Sequence, residues 1–328
     1  MSRKDDIERL ITSHTRRLQK LKERQAIEGL TVDPKIPIEI EDIETEIEGL
    51  RKELETLEKE PPINNPFHYG GPVPPEGFVG HRRAVDFCQV KLTAPQPTNI
   101  AINGERRSGK TSFLHYLRKY SPQEAWGQHM CLFLDLGVLS GTLTATNFWQ
   151  EILRLLQTTL TSASSVAHQL FELLSRTDLT GQDFRQFLDD YYRPQTGQSI
   201  ILLLDEFELI FQSYNQEIKT LLINLRAITQ DPTNKITLIT ATRDSLSQVC
   251  QPFTQETGLE FHSHFVPCQL EPFDEPETHY VVQTLLSRSK VEFTAQELTY
   301  IWQLSQWKKG GAHPFFVQMA ASLIFDYK

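Results

Sequence analysis

A chain of 328 residues, 39% of them apolar, can build one full α/β domain and one or two smaller units. Its 42 acidic against 33 basic residues give a formal net charge of −9, which argues against an extended nucleic-acid footprint and leaves room only for a local basic strip. Four cysteines, Cys88, Cys131, Cys250 and Cys268, lie far apart without C-x-x-C spacing, so neither a zinc site nor a disulfide framework is expected.

Met1 is followed by Ser-Arg-Lys-Asp-Asp rather than by an export leader, and no apolar run reaches the ~18 residues of a membrane span, so a cytoplasmic location is expected. Residues 1–60 read as two helices. Ile7, Leu10, Ile11, Leu18 and Leu21 mark the first; Ile40, Ile43, Ile47, Leu50, Leu54 and Leu57 mark the second, with the unbroken three-four stepping of a coiled-coil seam. The Gly and Pro punctuation of 28–37 between them predicts a turn, hence an antiparallel hairpin. Two helices bury little by themselves, so this unit is expected to find apolar surface on a second copy, a partner or the main domain. Residues 61–77, dense in Pro and Gly, read as an extended connector.

The centre of the chain is Gly104, Glu105, Arg106, Arg107, Ser108, Gly109, Lys110 and Thr111, with Asn99-Ile-Ala-Ile before it as a strand and Ser112 opening a helix after it. This is a Walker A phosphate loop: the glycines let the backbone wrap an anion so that successive N–H groups point at it. Lys110 adds a point charge for the outer phosphates, Thr111 offers a hydroxyl to Mg²⁺, and the helix start is positive.

Met130 to Leu136 predicts a buried parallel strand. Residues 144–193 read as helices in three pieces, with Tyr191 and Tyr192 as core or rim. Ser199 to Leu204 is a second buried strand delivering Asp205 and Glu206 at its C-terminal edge, the Walker B arrangement. There Asp205 suits Mg²⁺ held through water, and Glu206 suits accepting a proton from, or orienting, an attacking water. After a helix over 214–228, Lys235 to Arg243 predicts another parallel strand, with Arg243 at the phosphate edge, where its planar fork suits two phosphate oxygens. His262 and His264 read as non-metal residues on a strand leading to Phe265. The remainder, from Pro272 onward, is helical, with a Gly310-Gly-Ala-His313-Pro314 turn before the last helix.

The ordered set FVGHRRAVDF, GERRSGKTS, ILLLDE, ITATR and GGAHPFF, across about residues 66–328, resembles the STAND class of AAA+-related signalling ATPases, especially bacterial members common in cyanobacteria. The resemblance implies an α/β P-loop NTPase of the AAA+/ASCE type with a parallel sheet, an N-terminal helical hairpin and a small C-terminal helical lid. It implies domains at 1–60 (hairpin adaptor), 78–272 (ATPase core) and 273–328 (lid). ATP or ADP and Mg²⁺ would be its cofactors. Gly109, Lys110 and Thr111 would bind phosphate and metal, Asp205 and Glu206 would form the Walker B pair, and Arg243 would be the sensor arginine. Phe78, Val79, Gly80 and Pro314 would border the adenine. His81 departs from the pattern, standing where the family more often has an arginine. The implied function is a slow ATP switch that self-associates in the ATP state and meets a protein partner through the hairpin. Two other readings remain: a DNA-associated AAA+ ATPase similar to archaeal origin-recognition or transposition helpers, and a passive nucleotide-bound scaffold.

Overall fold

The computed structural model describes residues 3–28, 35–59, 64–94, 96–124, 129–139, 141–159, 165–212, 214–231, 235–307 and 310–328. They group into two units, Met1–Asn64 and Asn65–Lys328.

In the first unit, helices α1 (Arg3–Glu28) and α2 (Lys35–Lys59) fold back on one another. The α1 positions withdrawn from solvent are Ile7, Ile11, His14, Leu18, Leu21 and Gln25; those of α2 are Ile36, Glu39, Ile40, Ile43, Ile47, Leu50 and Leu54. Leu10 therefore does not belong to the seam. It is 45% exposed, and stepping by four and then three from Ile7 brings His14 to the seam instead, within 3.7 Å of Glu46. Ion pairs Arg17–Glu39 and Lys22–Glu44 flank the seam. The side chain of Leu57 lies outside the described residues, and α2 starts at Lys35, so Pro37 sits in its first turn, where a missing N–H costs nothing.

In the second unit five strands, β1 (Asn99–Asn103), β2 (His129–Asp135), β3 (Ser199–Asp205), β4 (Ile236–Thr242) and β5 (Phe265–Gln269), form one parallel sheet in the order β2-β3-β4-β1-β5. The fold class is the α/β P-loop type read from the sequence. Alternate residues of β3 serve opposite layers: Ile201 and Leu203 meet Ala84, Cys88, Phe113 and Leu114 of α3 (Arg82–Leu92) and α4 (Lys110–Glu124), while Leu202 and Leu204 meet Phe148, Trp149 and Leu221 on the other side. Burial on both faces explains why these strands read as continuous apolar runs. Tyr192 is fully buried in the second layer, under a short π-helical turn, and Tyr191 is half-buried at its edge.

Two expectations need correction. The stretch 61–77 is not a free connector from Asn65 onward: Phe67 is buried among Phe325 and the other apolar residues of the helices Glu275–Leu286, Ala295–Leu304 and Pro314–Asp326. Asn65 donates to Ser322 Oγ (2.9 Å) and Asp326 (2.8 Å), and the His68 amide to Gln318 (3.1 Å), so this strap places polar groups on the helix Pro314–Asp326. His262 and His264 lie on a 3₁₀ turn, Phe261–His264, rather than on a strand; His264 Nε2 accepts from Arg226 Nε at 2.9 Å. No described helix is long and apolar enough to cross a membrane.

Candidate functional site

Parallel pairing sends the C-terminal ends of β1, β3 and β4 to one edge, with β4 between the other two. The loop leaving β1 turns tightly there. Gly109 has φ +96°, and a Cβ on Gly104 would fall 2.6 Å from Ser108 Oγ, so neither position tolerates a side chain as the backbone stands. Lys110 curls back and its ammonium donates to the carbonyls of Gly104 (2.7 Å) and Glu105 (2.9 Å). Burial lowers its pKa, while the Glu208 and Asp205 carboxylates pull the other way and favour the charge.

Ninety-four positions further on, the end of β3 meets this loop directly: Thr111 Oγ1 donates to Asp205 Oδ2 at 2.6 Å. Asp205 is buried, which raises its pKa against the opposing effect of the Thr111 bond. A hydroxyl and a carboxylate converging at one point form an all-oxygen pair that fits Mg²⁺, a hard cation keeping several waters. Ser112 looks elsewhere; its buried hydroxyl accepts from the Val73 amide of the strap at 2.9 Å.

Glu206 follows Asp205 in a left-handed conformation (φ 50°), which turns its carboxylate off the strand end. Its pKa is raised, first by burial and then by Asp135, Asp205 and Glu208, so it holds a proton more readily than an ordinary glutamate. Asp135, paired in register with Asp205, and Glu208 escaped the sequence reading. The signal for Asp135 was present, because it also ends an apolar strand-length run. Glu208 had none; it enters because Glu206 starts a 3₁₀ turn, and its Oε1 accepts from the Arg243 amide at 3.2 Å. Between Asp135 and Glu206 stands Gly137, where a Cβ would lie 2.9 Å and 3.0 Å from the two carboxylates. Arg243 is exposed at the end of β4 and lines the same cavity as Lys110, Thr111, Asp205 and Glu206.

That cavity holds about 480 Å³ and suits a small organic ligand. Its far side is made by Phe78, Val79, Pro314 and Phe315, with strap residues His68 to Val73. Gly80 does not line it: with φ +103° it packs beneath Phe273, whose ring a Cβ would meet at 2.7 Å. Arg106 and Arg107 are exposed at the rim. The loop also touches the C-terminal helical region, through a hydrogen bond from Trp307 Nε1 to the Glu105 carboxylate and through the Arg107 guanidinium 4.5 Å from the Phe315 ring centre.

His81 gives the loop a floor. It caps α3 in a left-handed conformation (φ 52°) and is buried beside Phe273; its Nε2–H donates to the Ser108 carbonyl at 2.9 Å. Burial pushes its pKa down to about 4 from 6.5, so it stands neutral, where an arginine would bring a charge. The unfolded chain takes up this proton below about pH 6.5 and the folded chain only near 4. The contribution is therefore whole above pH 6.5 and is lost as pH falls to 4, on the order of 3 kcal/mol in all. Denaturant titrations from pH 7 to 4 should show a shallower loss for His81→Gln than for the wild type; parallel curves would refute this assignment.

A family model described as an AAA domain matches residues 95–250, which run from just before β1 to just beyond β4. No curated protein matches the sequence. Among solved structures, the chain is similar to the Walker-type ATPase PABY2304 of Pyrococcus abyssi, with 14% identity and a TM-score of 0.58 over 80% of this chain and 72% of that one. It is also similar to the ORC2 protein of Aeropyrum pernix in its ADPNP–ADP complexes, with 12% identity and a TM-score of 0.51 over 76% and 64%. At these identities the likeness is one of fold. The family match over residues 95–250, the fold likeness and the convergence of Lys110, Thr111 and Asp205 together support a P-loop NTPase of AAA+-like type in this part of the chain.

Proposed function

We propose that the chain binds ATP with Mg²⁺ at residues 104–111, hydrolyses it slowly, and uses the nucleotide state to set its lid and its self-association, as a STAND-type switch. The observation that carries this reading is the tie between loop and lid, Glu105 to Trp307 and Arg107 to Phe315. Glu105 and Arg107 belong to the same turn whose amides would wrap the phosphates, so a rearrangement there is felt at the lid.

Lys110 exchanges its carbonyl partners for phosphate oxygens, and Thr111 with Asp205 holds the metal. Mg²⁺, when bound, offsets the negative charge that gathers on the transferring phosphoryl group. Glu206 orients water or takes its proton, and Arg243 reads the γ-phosphate. Phe78, Val79 and Pro314 border the adenine, with the strap closing that side. Residues 1–60 serve as the adaptor that meets a protein partner, 78–272 as the ATPase core and 273–328 as the lid; the location is cytoplasmic.

The test is to identify the nucleotide carried by the purified protein and to compare its mass in dilute solution with ADP and with a non-hydrolysable ATP analogue. The ATP form should be larger, and Trp307→Phe, which keeps the ring and loses the N–H, should blunt the difference. One mass in every state would remove the switch and leave nucleotide binding intact. The second reading, a DNA-associated ATPase, draws support from the fold likeness to ORC2 and is opposed by the net charge of −9. Salt-dependent binding of duplex DNA would favour it.

A further inference from the structure

The two outward faces of the N-terminal hairpin carry opposite charge. Helix α1 holds eight basic and five acidic residues, and α2 nine acidic and four basic. Opposite its seam, α1 presents Arg9, Arg16, Lys20, Glu23 and Ile27, and the three basic residues, with Glu8 and Arg17 beside them, wall a shallow open groove along the helix. The matching line on α2 is Ile38, Glu41, Asp42, Thr45, Glu48 and Lys52, of which Lys52 pairs with Glu48 at 2.9 Å and leaves Glu41 and Asp42 to set the sign of the face. Charges nearer the seam pair within the hairpin, as Arg17 does with Glu39 and Lys22 with Glu44. The side chains of Arg16, Lys20, Glu41 and Asp42 are exposed, and none of the four has an ionic partner among the described residues. At the turn end of both lines sits an apolar residue in water, Ile27 at 85% and Ile38 at 61% exposure.

We propose that this hairpin stacks head-to-tail on the hairpin of a second copy of the chain, the basic outer face of α1 lying on the acidic outer face of the neighbour's α2. The ion pairs within the hairpin, Arg17–Glu39, His14–Glu46 and Lys22–Glu44, span a range of antiparallel offsets that includes those bringing Ile27 to Ile38 and Lys20 to Glu41 and Asp42 of a neighbour stacked the same way. A nucleic acid would match the narrow basic line and leave the acidic face of equal length beside it unanswered, whereas a second copy answers both.

Because the two surfaces differ, the contact is heterologous and propagates into a ring or a filament rather than closing as a dimer. Exposed ion pairs are individually weak, so it acts in concentrated solution or when the nucleotide domains already hold copies together. The contact belongs to the hairpin and stands whether or not the nucleotide switch does.

Sedimentation velocity on the full chain without nucleotide, at low salt and rising protein concentration, tests it. The wild type and Lys110→Ala should both grow in mass, and about 0.5 M salt should reverse the growth. Arg16→Glu/Lys20→Glu has two acidic faces and Glu41→Lys/Asp42→Lys two basic ones, so each alone should stay monomeric. Their equimolar mixture should regain the wild-type mass, because every face then finds its opposite. A reversed variant that associates alone, a mixture that stays monomeric, or a wild type of constant mass would overturn the proposal. So would a constant wild-type mass accompanied by duplex DNA binding that Arg16→Glu/Lys20→Glu abolishes, which would assign the basic line to nucleic acid.

Discussion

Lys110→Ala should weaken ATP binding on the order of a hundredfold or more, two charge-assisted hydrogen bonds being lost together. In the structure the ammonium reaches two loop carbonyls, Gly104 and Glu105; burial lowers its pKa, and the carboxylates of Glu208 and Asp205 oppose that lowering. It is thus a basic group held at the mouth of an anion site, and the backbone N–H groups of the loop stay behind when it is removed. Some residual binding through those groups is expected. The side chain packs in no core cluster, so the fold should survive. Calorimetric titration with ATP and with ADP, beside a thermal melt, separates the two effects. An affinity within about threefold of wild type, less than a single neutral hydrogen bond contributes, would mean that the loop does not cradle phosphate.

Glu206→Gln should keep nucleotide binding and lower turnover by about 10²–10⁴-fold, the range for loss of a positioned proton acceptor. The amide retains the shape of the acid and removes its charge. Nucleotide affinity should hold or rise, because Asp135, Asp205 and Glu208 already crowd Glu206 with negative charge. The same crowding gives a sign to the pH dependence. A carboxyl whose pKa is raised is neutralised earlier as pH falls, so wild-type turnover should decline on the acid side at a pH above the usual glutamate range, and the variant's residual turnover should lack that limb. Phosphate release measured from pH 8 to 4.5 on both proteins checks it. Turnover in Glu206→Gln equal to wild type would strip Glu206 of its role, whatever its position.

Much of the candidate site was legible before any fold was known. A phosphate loop is local: glycine spacing, a lysine and a hydroxyl within eight positions dictate a backbone path, and Gly109 at φ +96° follows it. The apolar run over 199–204 likewise reported burial on both faces of a sheet, since a strand covered on two sides has no polar phase, whereas 130–136 forms the edge strand β2, buried at Leu132 and Leu134 and half-buried at Cys131 and Phe133. An acid at the end of such a run is delivered to the strand edge by that geometry alone, which located Asp205.

Other features were decided only when distant segments met. Residues 65–77 have the composition of a connector because prolines and glycines describe local stiffness, whereas Phe67 is buried against Phe325, and Asn65 and His68 hydrogen-bond to Ser322 and Gln318, some 250 positions away. Trp307 and Glu105 are separated by 202 positions, and neither type at its place in the chain announces the other. His81 became the floor of the loop through Ser108 and Phe273, and Gly80 lost its expected place in the cavity to the same phenylalanine. Sequence by itself determined which residues could bind phosphate and metal, because those demands are met by neighbours along the chain. Tertiary structure alone decided which groups surround them, because desolvation, charge crowding and the contacts of the loop with Trp307 and Phe315 are properties of separations in space that periodicity does not encode.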